Sequence, residues 1–284
     1  MTPILTADDL TFFRDNGYLV VRAAAPREDV DAVIDAIWDF LGMDRDNPND
    51  WYREPLRPNG MVEMYQHSAL WKNRQSPRIH QAFAEILGTA RLWVSIDRVS
   101  MKPPRHPDHP EYDNKGFIHW DVDTSRLPLP LSVQGVLCLA DTEVDQGGFQ
   151  CVPGLFREFD RWLQTQPPGR NPHQPDLTGF TVEPVPARAG DLVIWNRLLA
   201  HGNGHNVSSK PRFAQYLSMF PADPSVADAD GWGGDREERI RQWRERRPPD
   251  AAWATGDPRG WEESHCASAE LTPLGRKLLG LDLW

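Results

Sequence analysis

Seven short segments of strand character, separated by turns, most constrain how this chain can fold. They begin at Arg91, and Pro, Gly or Asp residues lie at their boundaries. The chain contains 26 prolines, which suit the loops and edge positions of a β-fold better than the interior of a helical bundle. The segments cover residues 91–101, 117–121, 131–140, 149–152, 180–185, 191–195 and 212–220. We therefore predict a mainly β fold, a jelly roll of two sheets, with helices packed outside it.

Helical patterns precede these strands. Thr6 and Asp9 form a capping-box pattern, and Gly17 is a natural C-terminal stop for the helix that follows the cap. Apolar residues at helical spacing and a second glycine stop indicate two more helices. The predicted elements are helices over about 7–16, 27–41 and 77–87, and a short strand at 18–22.

The composition and the pattern of apolar residues change after Pro221. A charged stretch at 235–247 predicts a solvated helix, although an arginine-rich lid that recognises an anionic group is the alternative. Five of the twelve tryptophans lie in this extension: Trp232, Trp243, Trp253, Trp261 and Trp284. So many tryptophans seldom stay exposed in a soluble protein, so we expect the extension to pack against the barrel or a second copy in a homodimer. The predicted organisation is one domain over 1–284, with a helical part at 1–90, a core at about 91–220 and an extension at 221–284.

Composition excludes several classes of function. The net charge of −10 and a pI near 5.4 argue against a nucleic-acid partner, which needs a basic surface. The longest apolar stretch, around 131–140, is half the length that a membrane span requires. The N-terminus lacks signal-peptide features, and the three cysteines have no paired spacing, which is typical of free thiols in the cytoplasm.

The segment Phe117-Ile118-His119-Trp120-Asp121 carries the chemistry. Residues two apart on a strand share a face, so His119 and Asp121 would point together into the barrel while Trp120 points away into the core. One imidazole and one carboxylate make two-thirds of a 2-His-1-carboxylate iron site. A third ligand must come from elsewhere, and His201 precedes small residues that let it approach a metal.

Other residues have two interpretations each. Arg212 lies eleven residues after His201, and its guanidinium fork suits the distal carboxylate of a dicarboxylate co-substrate. His205, four residues after His201, is a competing ligand candidate. Arg98 either contacts substrate or co-substrate or forms a surface ion pair. Gln134 either hydrogen-bonds the co-substrate or lies on the outer face.

The sequence resembles the phytanoyl-CoA dioxygenase-like branch of the Fe(II)/2-oxoglutarate oxygenases. The similar segments are LTADDLTFFRDNGYLVV, RLWVSIDRVSMKPP, HWDVD, DQGGFQCVPG and GDLVIWNRLLAHGNGHN with KPR, within residues 5–220. The resemblance implies a double-stranded β-helix of cupin-like type that uses Fe(II), 2-oxoglutarate and O₂, with ascorbate helpful in vitro. It implies His119, Asp121 and His201 as catalytic metal ligands, with Arg212 on the distal carboxylate of 2-oxoglutarate. The choice of His201 over His205 depends on the spacing to Arg212 in the family that the sequence resembles.

The resemblance also implies hydroxylation of a C–H bond in a small-molecule substrate, with formation of succinate and CO₂. The carboxylate of Asp121 argues against a halogenase. One departure concerns Leu155-Phe156, which stand where the family has Ser or Thr and then His, so substrate contacts there are not transferred. His106 and His109 form a proline-rich HPDHP segment that indicates a rim loop or a substrate-facing lid. The alternative function is a non-catalytic or differently catalytic metal-binding barrel.

Overall fold

The computed structural model describes residues 2–223 and 235–284. The described part contains eleven strands: β1 Tyr18–Val21, β2 Met61–Val62, β3 Leu92–Val94, β4 Val99–Lys102, β5 Val133–Cys138, β6 Phe149–Cys151, β7 Glu183–Pro184, β8 Leu192–Asn196, β9 His201–Asn203, β10 Arg212–Tyr216 and β11 Met219–Pro221. Its nine α-helices are α1 Ala7–Asn16, α2 Arg27–Leu41, α3 Ser68–Arg74, α4 Pro77–Leu87, α5 Pro153–Arg157, α6 Phe159–Gln164, α7 Arg236–Glu245, α8 Trp261–His265 and α9 Pro273–Leu279. None of the helices within these residues has the length and apolar character needed to cross a bilayer.

The structure confirms the three helices that were predicted in the N-terminal part. The side chain of Thr6 accepts from the backbone of Asp9, the carboxylate of Asp9 accepts in return, and Gly17 ends α1 in a left-handed conformation. Helices α2 and α4 cover the predicted residues, and each ends at a glycine with positive φ. Helix α3 was not predicted, because its seven residues are too few to show a clear helical period.

The six-stranded sheet has the order β1-β8-β5-β10-β4-β2, and its pairings are antiparallel. A three-stranded sheet has the order β7-β6-β9, and β11 pairs with β3 in a third, two-stranded sheet. From β5 to β10 the chain moves repeatedly between the first two sheets. Antiparallel sheets with helices are therefore confirmed, with less regular strand than the sequence predicted.

Three predicted strands differ from the structure. The segment 91–101 divides into β3 and β4, and 212–220 divides into β10 and β11, because the second half of each pairs in a different sheet. The segment 117–121 forms only an isolated bridge between His119 and His201. There the carbonyl of Phe117 lies so close to Gly202 that a Cβ on that glycine would be 2.0 Å from it.

Two apolar layers use opposite faces of the six-stranded sheet. Leu137, Ile194 and Phe213 point outward against α2 and α4 in the larger core. Val136 and Trp195 point inward and form a smaller core with residues of β6. The alternation along β5, β8 and β10 thus separates a helix-covered face from an inner face.

The extension packs against its own chain, which confirms one of the two predicted arrangements. Arg239 of α7 is buried, donates to the carbonyl oxygens of Val94 and Leu279, and lies over the ring of Trp93. The carboxylate of Glu262 accepts from two backbone N–H groups of the segment before α3. Trp232 lies outside the described residues, and a homodimer stays a prediction.

Candidate active site

Three side chains converge at the mouth between the two larger sheets. One ligand atom from each of His119, Asp121 and His201 lies within 4.8 Å of the others. Asp121 Oδ1 is 3.2 Å from His119 Nε2, and Asp121 Oδ2 is 3.5 Å from His201 Nε2. The sequence prediction that these three residues come together is therefore confirmed geometrically.

Backbone and side-chain contacts hold the two histidines and the carboxylate in place. The backbones of His119 and His201 exchange two hydrogen bonds, of 2.9 and 3.0 Å. Gln134 Nε2 donates to Asp121 Oδ2 at 2.8 Å, and Arg197 donates to the carbonyl oxygen of Asp121. Trp120, between the two ligands, points away and is buried in a separate apolar cluster, as predicted.

The electrostatics favour an ionised carboxylate at the centre. Burial would raise the pKa of Asp121, but hydrogen bonds from His119 and His201, with their charges, hold this pKa well below its usual range. Burial would lower the pKa of His119, yet the neighbouring Asp121 raises it overall. The site thus presents a negative oxygen between two imidazole nitrogens.

The donor set fits a divalent transition metal. His201 Nδ1 lies 2.9 Å from the carbonyl oxygen of Leu199, which favours a proton on that nitrogen and leaves Nε2 free to bind a metal. His119 Nδ1 is buried without a hydrogen-bond partner, so it is Nε2 of His119 that faces the other two ligands. Two nitrogens and one oxygen on one side match a facial triad with open positions for Fe(II).

A cavity of about 490 Å³ opens at the three ligands. This volume is in the range of small-molecule sites. Its apolar wall includes Met61, Phe117, Val136, Phe149, Trp195 and Trp253. Trp253 comes from the C-terminal extension, so the extension contributes directly to the cavity that holds the candidate ligands.

Arg212 lies deep beside this cavity. It is 1% exposed, and its Nη1 donates to Ser100 Oγ at 3.1 Å. Arg212 and Tyr216 lie on the same face of β10. Tyr216 borders the cavity, whereas Arg212 lies behind it.

Lys102 is a second buried cation beside Arg212. The two residues are paired across β4 and β10. Burial, and then the charge of Arg212, lower the pKa of Lys102 to about 8. Neither cation forms an ion pair with an acidic side chain in the described residues. Two adjacent buried cations of this kind favour an anionic ligand.

Gln134 and Arg98 both border the cavity. Gln134 is therefore on the inner face, where its amide contacts Asp121 and Trp195. Arg98 forms a half-buried ion pair with Glu63 and donates to the carbonyl oxygen of Trp253. A contact of either side chain with a co-substrate stays a prediction.

The competing histidines lie elsewhere. His205 Nε2 contacts the carboxylate of Asp113 and is not part of the metal-ligand group. His109 stacks on Tyr52, with ring centroids 5.1 Å apart, and His106 packs against the same ring. Neither borders the cavity, so a rim position describes them better than a substrate-facing lid.

Sequence reasoning missed several residues of the cavity wall, among them Asp97, Asn203 and Tyr216. Asp97 precedes β4, and only its place next to the candidate Arg98 could have drawn attention to it. Asn203 and Tyr216 share faces with His201 and Arg212 by two-residue alternation, which was a usable signal.

The chain is similar to known proteins in sequence and in structure. The family described as phytanoyl-CoA dioxygenase matches residues 13–214. A Dictyostelium discoideum protein named provisionally as a phytanoyl-CoA dioxygenase is 23% identical over 259 residues, covering 74% of this chain and 74% of that protein.

Two solved structures are similar to this one. The epimerase SnoN, in complex with Fe3+, alpha ketoglutarate and nogalamycin RO, is 17% identical with a TM-score of 0.55, covering 93% of this chain and 94% of SnoN. GlcNAc Inducible Gene 2 from Candida albicans is 11% identical with a TM-score of 0.73, covering 99% of this chain and 77% of that chain. At these identities the likeness shows a common fold.

Proposed function

The chain belongs to the phytanoyl-CoA dioxygenase family, and we propose that it is a non-haem Fe(II)/2-oxoglutarate-dependent dioxygenase. The proposed reaction is hydroxylation of a C–H bond in a small molecule, coupled to formation of succinate and CO₂. The observation that carries this proposal is the convergence of His119, Asp121 and His201 at the end of a 490 Å³ cavity. The alpha ketoglutarate and Fe3+ bound to the structural relative SnoN support it.

His119, Asp121 and His201 would hold the iron. When bound there with 2-oxoglutarate, iron supplies the activation of O₂ that C–H oxidation requires. The role of the protein is to present two neutral imidazoles and one ionised carboxylate on the same side of the metal. Gln134 supports that role, because its amide keeps the carboxylate of Asp121 oriented.

We propose Arg212 as the residue that binds the distal carboxylate of 2-oxoglutarate. Its burial and its lack of an acidic partner in the described residues support this role, and Lys102 adds positive charge beside it. A buried guanidinium would bind a carboxylate with little competition from water. The 2-oxoglutarate would then extend from Arg212 past Tyr216 towards the three metal ligands.

We also propose that the six-stranded and three-stranded sheets form a double-stranded β-helix within a single domain. The support is the strand order, in which β5, β8 and β10 lie in one sheet and β6, β7 and β9 in the other. The isolated bridge at His119 extends the smaller sheet by one position beyond β9.

Succinate formation tests the proposed function. The purified protein is mixed with Fe(II), ascorbate, 2-oxoglutarate and O₂, and succinate is measured with and without candidate substrates. We expect the wild-type protein to form succinate and the His119→Ala variant to lose both succinate formation and stoichiometric iron binding. Wild-type protein that binds the metal without forming succinate would instead favour a non-catalytic or differently catalytic metal barrel.

A further inference from the structure

Three buried carboxyl groups lie together where the C-terminal extension meets the cavity wall. Glu63, Asp97 and Glu262 are each less than 10% exposed. Two guanidinium groups, those of Arg74 and Arg98, are buried or half-buried among them. Burial raises the pKa of Glu262 to about 7, so the ionisation of this acid, and with it the net charge of the group, changes near neutral pH.

Most of the carboxylate oxygens in this group are already occupied. Glu63 accepts from Arg98 with Oε1, and from the hydroxyl of Tyr65 and the backbone of Gly256 with Oε2. Glu262 uses both oxygens on backbone N–H groups, each at 2.7 Å. These two acids therefore connect the extension to the rest of the chain, and each of their oxygens already accepts at least one hydrogen bond from the protein.

Asp97 differs from the other two acids. Its Oδ1 accepts from the backbone N–H of Arg98 at 2.7 Å, whereas its Oδ2 accepts no hydrogen bond from the described residues and is not fully enclosed by them. The residue is 7% exposed, and it borders the same cavity as His119 and Asp121. A carboxylate oxygen that has no donor from the protein and opens on a cavity is available to a donor group of a ligand.

The nearby arginines do not satisfy this oxygen. Arg98 donates to Glu63 and to the carbonyl oxygen of Trp253, and its guanidinium lies over the Trp253 ring. Arg74 donates to the backbone carbonyls of Tyr65 and Asp97 rather than to a carboxylate.

Asp97 nevertheless carries its charge at neutral pH. Burial raises the pKa of Asp97 to about 6, against the lowering effect of the Arg98 backbone N–H and of both guanidinium groups. The negative charge of Asp121 contributes to the rise, so the two carboxylates interact across the cavity.

We propose that Asp97 is a specificity-determining residue that binds a protonated amine of the substrate, an inference that rests on the proposed oxygenase function. A protonated amine supplies the hydrogen-bond donor that Asp97 Oδ2 lacks, and its positive charge pairs with the carboxylate. The remaining walls, with Trp253, Phe117 and Val136, are apolar and fit a hydrocarbon or aromatic body attached to that amine. The substrate class is therefore an amphipathic amine of small-molecule size.

Calorimetric titration with three matched probes tests the proposal. Phenethylamine, 2-phenylethanol and 3-phenylpropanoate have similar size and differ in the charge of one end. They are titrated into the full-length protein with Mn(II) and 2-oxoglutarate added, so that the metal ligands and Arg212 do not compete for the probes. The variant is Asp97→Asn, which keeps the shape, and the control is Asp141→Asn, which removes an exposed carboxylate outside the cavity.

We expect wild-type protein and Asp141→Asn to prefer the amine, and Asp97→Asn to bind it on the order of tenfold to a hundredfold more weakly. An alcohol or carboxylate probe that binds wild-type protein as tightly as the amine, absence of amine binding to wild-type protein, or an unchanged preference in Asp97→Asn overturns the proposal. Succinate formation with and without candidate substrates is measured in the same proteins. If wild-type protein forms succinate under neither condition, the oxygenase function fails, whereas the amine preference is decided by the titrations alone.

Discussion

Gln134 Nε2 donates a 2.8 Å hydrogen bond to Asp121 Oδ2, the oxygen that faces His201. Gln134 Oε1 accepts in turn from Trp195 Nε1 at 3.1 Å. Because an indole nitrogen only donates, Trp195 fixes which end of the amide faces the carboxylate. Two side chains, Trp195 on β8 and Gln134 on β5, thereby orient the candidate metal-binding oxygen of Asp121.

Replacing Gln134 with Leu should therefore weaken metal binding. The variant keeps the volume but removes the donor that orients Asp121, and partners of this kind affect metal affinity by about tenfold to a hundredfold. Titration with Mn(II) or Fe(II) measures the change, and Gln164→Leu, at an exposed position at the end of α6, is the control. Equal affinity in Gln134→Leu and wild-type protein would mean that the carboxylate does not depend on this amide.

Arg212→Ala should weaken binding of 2-oxoglutarate by about a hundredfold or more. Loss of a buried charge pair leaves a carboxylate unpaired and costs roughly 3–5 kcal/mol, at about 1.4 kcal/mol for each tenfold change. Arg212→Lys retains the charge without the fork and should be intermediate. Calorimetric titration of 2-oxoglutarate measures the effect, with Arg14→Ala on the exposed side of α1 as the control. Wild-type affinity in Arg212→Ala would assign the distal carboxylate to another residue.

The sequence was sufficient to predict that the three candidate metal ligands come together, because each depends on a local rule. His119 and Asp121 share a face through two-residue spacing, and this holds although only one bridge of the predicted strand forms. His201 is identified by its place after a buried strand and before Gly202, which allows the chain at Phe117 to approach closely. Helices α1, α2 and α4 were predictable for the same reason, since caps and apolar spacing lie within each segment.

Asp97→Asn should change the pH dependence of stability. The pKa of Asp97 is about 6 in the folded protein, against 3.8 for the carboxyl group in the unfolded chain. Below pH 3.8 the group is protonated in both states and does not lower the free energy of unfolding. As the pH rises through this window, the unfolded chain releases the proton first, and stability of the folded state is lost. A difference of about two pH units corresponds to about 3 kcal/mol, which the Asn variant should recover above pH 6.

Chemical denaturation of both proteins at about pH 4 and pH 7 checks this sign. The free energy of unfolding of Asp97→Asn relative to wild type should increase between the two values. Asp141→Asn is the control, because a backbone hydrogen bond from Ala189 lowers the pKa of Asp141 instead. If the difference in the free energy of unfolding between the two proteins stays constant with pH, the pKa of Asp97 is not raised in the folded protein.

The walls of the cavity could not be predicted in the same way. Trp253 and Glu63 are about 190 residues apart in the chain, and their position near Asp97 depends on how the extension packs. The tryptophans of the extension indicated burial but not the surface that they cover. No local sequence pattern distinguishes Asp97. Its proposed role depends on the absence of a hydrogen-bond donor to Oδ2, which only the three-dimensional structure shows.

Removal of the extension after residue 224 should destabilise the protein. Arg239 and Glu262 are buried and satisfy backbone groups of β3 and of the segment before α3, and truncation would leave these groups and the apolar surface beneath them exposed. We expect a lower midpoint of thermal unfolding and a greater tendency to aggregate. A soluble truncated protein with the wild-type midpoint would show that the packing of the extension contributes little to stability.

Trp253→Ala separates the cavity wall from this structural role. The indole borders the cavity and lies against Arg98, while the anchors of the extension at Arg239 and Glu262 are left in place. An enlarged mouth should hold the substrate less well, so 2-oxoglutarate would still be consumed while the ratio of oxidised product to succinate falls. Trp261→Ala is the matched control, since Trp261 belongs to the same extension but packs on Phe40 outside the cavity. Equal ratios in Trp253→Ala and wild-type protein would exclude Trp253 as a substrate contact, and an equal fall in both variants would assign the effect to the packing of the extension as a whole.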